Sequence, residues 1–555
     1  MSVDVPRAAR PDPSGRAASF PARLRRSLPP LPALRALRAL PSAPWLAVLA
    51  ASIAFRLPPL LNAEGTNSDA AVVGLQAVHL LRGEWSPFLW GSGYQTSVDA
   101  MVAAALFLFT GPSPAALMAS SLAGHILLTW LVFDALRRHL PAWTAALTVL
   151  PLVFAPDPVH TYVLYPPRQA SLTLVFAAFW LLHTAVAGAS RRPRARLAAG
   201  GAVALLAVYA DPYALLFLPG EALLAALVLA DRRADRPADR PALLRDLGAL
   251  VGGALAGLIP YEILTHHPLA SRGQTSLGLA VVRHNLGLLV DVCGPWLLST
   301  RIYAARTMTD YQPWEVGPGY HAFQVVAAAI LVAGVLSGFA LVFVKAIPWE
   351  LRRLGLVGAV MSPVTLGGFL VSPMVMDHFS SRYLAAALLC APFALAPAAY
   401  LLRGRRFAVA LAPYLLSAAV SGWVSYRPFG LARHPSLAVD ERLGVALRER
   451  GIRYAVADYW ASYRLTLAYG EHPVVVPKNE VEDRYRPYRD AFDAEPVVAY
   501  LHDAYRSRER LDETEAAIRA GGTPFEPRYD RFELGNFTVL ILVRRPPGTR
   551  LALAP

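Results

Sequence analysis

The sequence predicts an α-helical integral membrane protein with about eleven transmembrane helices and a small α/β domain at its C-terminal end. Three observations predict it. Of 555 residues, 55% are hydrophobic and 17% charged, against roughly 45–50% apolar and about 25% charged in an ordinary soluble chain. Apolar stretches close to the roughly 20 residues that a bilayer core needs recur between residues 44 and 424. Beyond residue 426 the chain turns polar, and β-rich runs alternate with helical patterns. The composition is too apolar for a disordered chain. Two cysteines, Cys293 and Cys390, are too few for a disulfide framework or a thiolate metal cage.

Residues 1–43, rich in Arg, Pro, Ala and Ser, predict a mostly disordered cytoplasmic leader. Candidate spans follow at roughly 44–62, 115–136, 141–155, 169–188, 196–210, 212–230, 246–264, 321–344, 354–372, 382–402 and 407–424. No cleavable signal peptide fits: the first apolar stretch comes after a long Arg/Pro-rich leader and lacks a small-residue cleavage site. Residues 100–109 (AMVAAALFLF) are apolar but too short to cross, which predicts an interfacial helix. Basic residues favour the cytoplasmic side of a membrane protein. With 100–109 not spanning, the cytoplasmic segments carry 25 Arg and Lys and the opposite loops 7. Were it to span, the later loops would carry 17 outside and 6 inside. The N-terminus is therefore expected in the cytoplasm and the C-terminal domain outside, across the cell (inner) membrane. The same placement explains the formal charge of +14 without nucleic acid, since residues 427–555 hold 20 basic and 19 acidic side chains.

Residues 44–426 are thus expected to form the membrane domain, and its first outside loop, 62–113, is the most informative. After Asn67-Ser68-Asp69, the residues Val72, Leu75, Val78 and Leu81 recur at helical spacing, widened by Val73 and Leu80. That pattern predicts a helix on the membrane surface, capped by Ser68 or Asp69. WSPFLWGSGYQTSVDA then turns the chain and starts a second short helix at Asp99. Both helix starts set a carboxylate at the membrane–water boundary. A cap contributes about 1 kcal/mol, and capping and catalysis are compatible roles. In residues 427–555 the runs 452–457, 473–477, 496–501 and 537–543 predict strands, and 437–450 and 511–520 predict helices. No Gly-rich phosphate loop follows any of these strands.

The order of these parts resembles the glycosyltransferase-C superfamily. A span is followed by NSDAAVVGLQAVHLLRGEWSPFLWGSGYQTSVDAMVAAALFLFTGPSPAAL and then by a span ending in Arg-Arg. It is most similar to the protein O-mannosyltransferase and lipid A aminoarabinose transferase branch, over residues 44–426 and most strongly 56–137. The segment SSRYLAAALLCAPFALAP (380–397) resembles the Arg-Tyr-Leu opening of a late span in that family. ADYWASYRLTLAYGEHPVVVPKNEVEDRYRPY (457–488) resembles the extracytoplasmic tail of its bacterial members.

By position, the resemblance makes Asp69 the catalytic acid of the first loop and Asp99 its second carboxylate. Relatives often carry Asp-Glu where this chain has Asp69-Ala70. The donor implied is a sugar on a polyprenyl phosphate, the acceptor an extracytoplasmic protein, lipid or glycan. A lipid phosphate leaves without a protonating acid if cations neutralise its charge, and Arg binds phosphate bidentately. A carboxylate can meanwhile take the acceptor's proton, a positioned base typically contributing 10²–10⁴-fold. A single displacement inverts the anomeric carbon. The implied phosphate ligands are Arg168 (LYPPRQA), Arg382 (SSRYLA) and Arg56, late in the first span, where an internal partner such as Asp69 or Asp99 would offset its cost. Arg82, Arg272, Arg283, Arg301 and Arg306 are the remaining outside cations of the membrane domain.

Tyr94, Gln95, His160, Tyr165 and His378 are candidates to line a sugar pocket, joined more weakly by His79 and Asp377. Capping and interface anchoring are the competing roles for each. No metal arrangement is recognisable, since His266, His267, His284 and His321 are too scattered, and no cofactor is expected. Asp211-Pro212 is expected to serve a turn. A transporter or lipid flippase of the cell envelope is the alternative class, but no inverted repeat with paired broken helices appears. An inactive transferase-like scaffold is a third possibility.

Overall fold

A computed structural model describes residues 42–186, 192–235, 240–268, 270, 278–305, 311–426, 430–505, 507 and 510–546. The expected leader falls outside these residues up to position 41, as do Arg272 and Arg306. Trp45–Pro555 forms one unit of the chain.

Among the described residues, six segments are long and apolar enough to cross a bilayer. They are Pro114–Arg137, Pro212–Ala234, Arg240–Thr265, Pro318–Leu341, Trp349–Val371 and the 49-residue run His378–Tyr426. The last holds two expected spans back to back, turning at Arg403 and Gly404, both with positive φ. Ala142–Val153 and Asp157–Leu164 meet at 90° and together have span composition. The other expected spans are shorter helices: Ala43–Phe55, continued by Leu57–Leu61, then Gln169–His183 and Pro193–Ala210. Small residues set the closest helix approach. A Cβ on Gly253 or Gly257 of Arg240–Thr265 would overlap the backbone of Ala198 or Ala202, a small-x-x-x-small contact between neighbouring helices.

The first loop forms the two expected helices, Ser68–Leu81 and Val98–Thr110. At 13 residues the second is about 20 Å long, short of the roughly 30 Å hydrocarbon core. The first does not simply float on a membrane surface. Ala70, Ala71, Val72, Val73, Leu75 and Ala77 are all buried, so the helix is enclosed on most sides. A Cβ at Gly74 would stand 2.9 Å from Leu467 and 3.0 Å from Leu117, which shows how closely the terminal domain and a spanning helix press on it. Its cap also departs from expectation. Asn67 Oδ1 accepts from the Ala70 amide at 2.8 Å, which leaves Ser68 and Asp69 as the first two helical residues.

Outside the spans, β1 (Ile302–Ala305) and β2 (Tyr311–Trp314) form an unexpected antiparallel pair. Helix Leu279–Leu288 precedes them. The terminal domain holds β3 (Tyr454–Ala457), β4 (Val474–Pro477), β5 (Val497–Asp503), β6 (Phe525–Leu534) and β7 (Phe537–Arg544) in order β4-β3-β5-β7-β6. β3 runs parallel to β4 and β5, while β7 runs antiparallel to β5 and β6. The sequence signals missed β6, because FEPRYDRFEL is polar and lies on the sheet edge, where the half-exposed face needs no apolar run. Helices Pro435–Glu449 and Leu511–Arg519 match expectation.

Candidate functional site

Two clusters of candidate side chains form where the first loop meets the helix ends. The larger one is built on Arg168, the N-cap of helix Gln169–His183. Its backbone sits at φ 101°, a left-handed region that costs a non-glycine residue about 1–3 kcal/mol and persists only where the surroundings fix it. Asp99 supplies the fixing. Its Oδ2 accepts from the Arg168 amide at 2.9 Å and its Oδ1 from the Ala170 amide at 3.0 Å. Burial raises the Asp99 carboxyl to about 6, against these two hydrogen bonds. Asp99 thus caps a helix belonging to another segment, and both of its oxygens are engaged.

The Arg168 side chain reaches Asp211, with Nε 2.9 Å from Oδ2, and donates to the Tyr162 hydroxyl at 3.2 Å. Its guanidinium lies 5.5–5.8 Å from the rings of Tyr162, Tyr213 and Tyr383, within cation–π range. Asp211 does serve the expected turn, accepting from the Tyr213 amide at 2.8 Å. It also holds Arg168 and takes a 2.7 Å hydrogen bond from Gln95 of the first loop. Arg382, in the short helix His378–Leu384, lies 5.3 Å from the Tyr383 ring and donates to its hydroxyl at 3.4 Å. Among the described residues Arg382 has no carboxylate partner, and its buried Nε has no hydrogen-bond acceptor. Tyr94 is close enough to feel Arg168, Asp211 and Arg382, and its burial raises the phenol. Two expected cations, Arg168 and Arg382, therefore both lie within cation–π range of Tyr383.

Asp69 anchors the second cluster. Its side chain is 40% exposed, and Oδ1 accepts from the Tyr459 hydroxyl of the terminal domain. Arg484 lies 3.9 Å from the same oxygen, donates to the Tyr459 hydroxyl at 3.1 Å and to the Gly91 carbonyl at 3.1 Å. The loop turn ties the clusters together, because Gly91 binds Arg484 and Gln95 binds Asp211.

Other expected residues lie elsewhere. Arg56 is fully buried but pairs with neither Asp69 nor Asp99. It donates to the carbonyls of Ser52 and Leu152, each at 3.1 Å. Leu152 sits in the last turn of helix Ala142–Val153, where carbonyls lack intrahelical partners and a cation complements the helix dipole. His125 Nε2 donates to that same carbonyl at 3.0 Å. His160 stacks on Tyr426 with ring centroids 4.6 Å apart, and Tyr165 packs against the main core. His378 lies beside Phe379 and Trp296. None of these three makes a described contact with Arg168, Arg382 or Asp69. His79 instead joins a clasp: Nδ1 is 2.8 Å from Glu84 and Nε2 is 2.7 Å from Glu471, whose other oxygen meets Arg82 at 2.5 Å.

Sequence reasoning missed Tyr162, Tyr213, Tyr383, Tyr459 and Arg484 and undervalued Asp211. Tyr383 follows Arg382 in the Arg-Tyr-Leu motif and Tyr459 lies in the ADYW segment, so both sit inside the stretches that carry the family resemblance. Among the described residues, no group of three or more His, Cys, Asp or Glu side chains could hold a metal ion.

Neither a protein-family model nor a curated protein matches the sequence. Among solved structures, the chain is similar to ArnT from Cupriavidus metallidurans bound to undecaprenyl phosphate. The identity is 12% and the TM-score 0.45, with 90% of this chain and 98% of that one covered. It is similar as well to the archaeal oligosaccharyltransferase AglB from Archaeoglobus fulgidus, in complex with an inhibitory peptide and a dolichol-phosphate. There the identity is 13% and the TM-score 0.45, covering 86% of this chain and 70% of that one.

Proposed function

We propose that the chain is an integral-membrane glycosyltransferase of the glycosyltransferase-C type. It would move a sugar from a polyprenyl-phosphate donor to an extracytoplasmic protein, lipid or glycan, with Asp69 as the base. One observation carries this reading. Arg382 has no carboxylate partner among the described residues and shares the Tyr383 ring with Arg168, at the ends of apolar helices. A guanidinium left without a counter-ion in such surroundings is costly, and an anionic headgroup at that depth satisfies it.

The roles follow from the chemistry of each group. Arg382 neutralises charge on the departing lipid phosphate, and Arg168 supplies a second positive face fixed by Asp211 and Asp99. Asp69 Oδ2, which accepts no hydrogen bond among the described residues, takes the proton of the acceptor hydroxyl or amine. The new bond forms on the anomeric carbon as the sugar–phosphate bond breaks, its electron pair leaving on the phosphate, and the configuration inverts. Tyr94 and Gln95, on the turn between the clusters, are placed to line the sugar. The eleven-span topology, with residues 427–555 outside, belongs to the same proposal.

The test uses Asp69→Asn in proteoliposomes with polyprenyl-phosphate-linked hexose and pentose donors. The expected result is loss of transfer with donor binding retained. Transfer at the wild-type rate would remove Asp69 as the base.

A further inference from the structure

Resting on the reading of Asp69 as the base, we propose that the terminal domain completes the active site, with Tyr459 and Arg484 acting as positioning residues that aim the Asp69 carboxylate. The domain's place in the sequence gives it no such duty, since Asp69 and Tyr459 are 390 residues apart.

The geometry joins two helix starts. Tyr459 is the first residue of helix Tyr459–Ala468, whose N-cap Asp458 accepts from the Trp460 amide at 3.1 Å. Ser68 and Asp69 are the first two residues of the facing loop helix. Ser68 Oγ donates to the Tyr459 carbonyl at 2.5 Å, fixing the two starts against each other. Tyr459 is only 6% exposed, so its ring cannot swing without disturbing that packing. Burial and the neighbouring Asp69 carboxylate both push its phenol well above the usual range, and it remains a donor. Its hydroxyl takes one oxygen of Asp69 and leaves the other for an incoming group.

Arg484 locks this arrangement from outside. It bonds the Tyr459 hydroxyl and the Gly91 carbonyl, and its guanidinium lies 5.3 Å from the Tyr459 ring. Its own amide donates to the Tyr463 hydroxyl at 2.6 Å, one turn along the Tyr459 helix. Gly91 sits at φ +67°, and a Cβ there would run into the Arg484 side chain. The turn and the arginine are therefore fitted to each other. A carboxylate that is two-fifths exposed would otherwise sample several rotamers, and misplacement of a reacting group by about 1 Å can cost about 10²-fold in rate.

The experiment compares wild type, Tyr459→Phe, Arg484→Gln and Asp69→Asn in proteoliposomes, measuring kcat, KM for donor and acceptor, and Tm. Tyr459→Phe keeps the ring and its packing and deletes only the donor. The expected result is a fall in kcat of about 10–100-fold with both KM values and Tm within error of wild type. Arg484→Gln should fall in the same direction, because the arginine holds the Tyr459 hydroxyl and faces the same Asp69 oxygen. Wild-type kcat in Tyr459→Phe, or a loss seen only in KM or in Tm, would overturn the inference. Activity in Asp69→Asn would overturn the reading beneath it. A silent Asp69→Asn beside a fully active Tyr459→Phe would overturn the present inference alone.

Discussion

At the scale of single residues, the account depends on which charges are already satisfied within the protein. Arg168 is held by Asp211, with side chains 11% and 3% exposed. Breaking a buried ion pair by removing one partner costs about 3–5 kcal/mol. Asp211→Ala should therefore lower Tm by several degrees and release Gln95 and the loop turn, a change that thermal unfolding in detergent would record. Arg382 lacks such a partner and should behave in the opposite way. Arg382→Ala should leave Tm unchanged and raise KM for the lipid-linked donor about tenfold or more, the scale of one charge-assisted hydrogen bond. Unaltered donor affinity would return Arg382 to a snorkelling role at the membrane surface. Arg56 shows why residue type alone misleads. The same guanidinium that suggests a phosphate ligand is bound through Nη1 and Nη2 to the carbonyls of Ser52 and Leu152 inside the helices.

Between elements, the first loop helix and the terminal domain form one packed body. Gly74 is the tightest point, and Gly74→Leu should force the two apart, giving faster proteolysis and hydrogen exchange in Ser68–Leu81. The His79 clasp fastens the far end of the same contact and depends on pH. Glu471 is pushed up by burial, yet hydrogen bonds from His79, Arg82 and Tyr488 outweigh this and bring it down to about 2. Its contribution is complete above its ordinary value of 4.5 and disappears as pH falls toward 2. Burial lowers His79, but the Glu471 and Glu84 hydrogen bonds win and raise it. That contribution is complete below 6.5 and disappears as pH rises through the raised value. Loop-helix protection against hydrogen exchange should thus peak between about 4.5 and 6.5, and His79→Gln should abolish the decline on the alkaline side.

These elements also show what a sequence can and cannot reveal. The loop helices, the carboxylates at their starts and four of the terminal strands were legible, because periodicity, caps and motif order are local signals. Contacts between residues 43 and 390 positions apart were not. Tyr459 carries no mark of its distance to Asp69, and Asp211-Pro212 looks like any turn until Arg168 is seen against it. The cap was misplaced by one or two positions because Asn67, Ser68 and Asp69 are all competent caps, and only the chain's approach chooses among them.

For the whole molecule, the proposed function requires a lipid-borne phosphate and an extracytoplasmic acceptor to meet where spanning helices, first loop and terminal domain converge. Its central claim is that the donor phosphate is received between Arg168 and Arg382, with Asp69 on the sugar side. The most direct measurement is a structure of the full-length protein in lipid nanodiscs with a non-hydrolysable polyprenyl-phosphate sugar. The account predicts phosphate oxygens within hydrogen-bonding distance of the Arg382 guanidinium and the anomeric carbon turned toward Asp69 Oδ2. A phosphate bound on any other face, with Arg382 still empty and Asp69 away from the sugar, would contradict it.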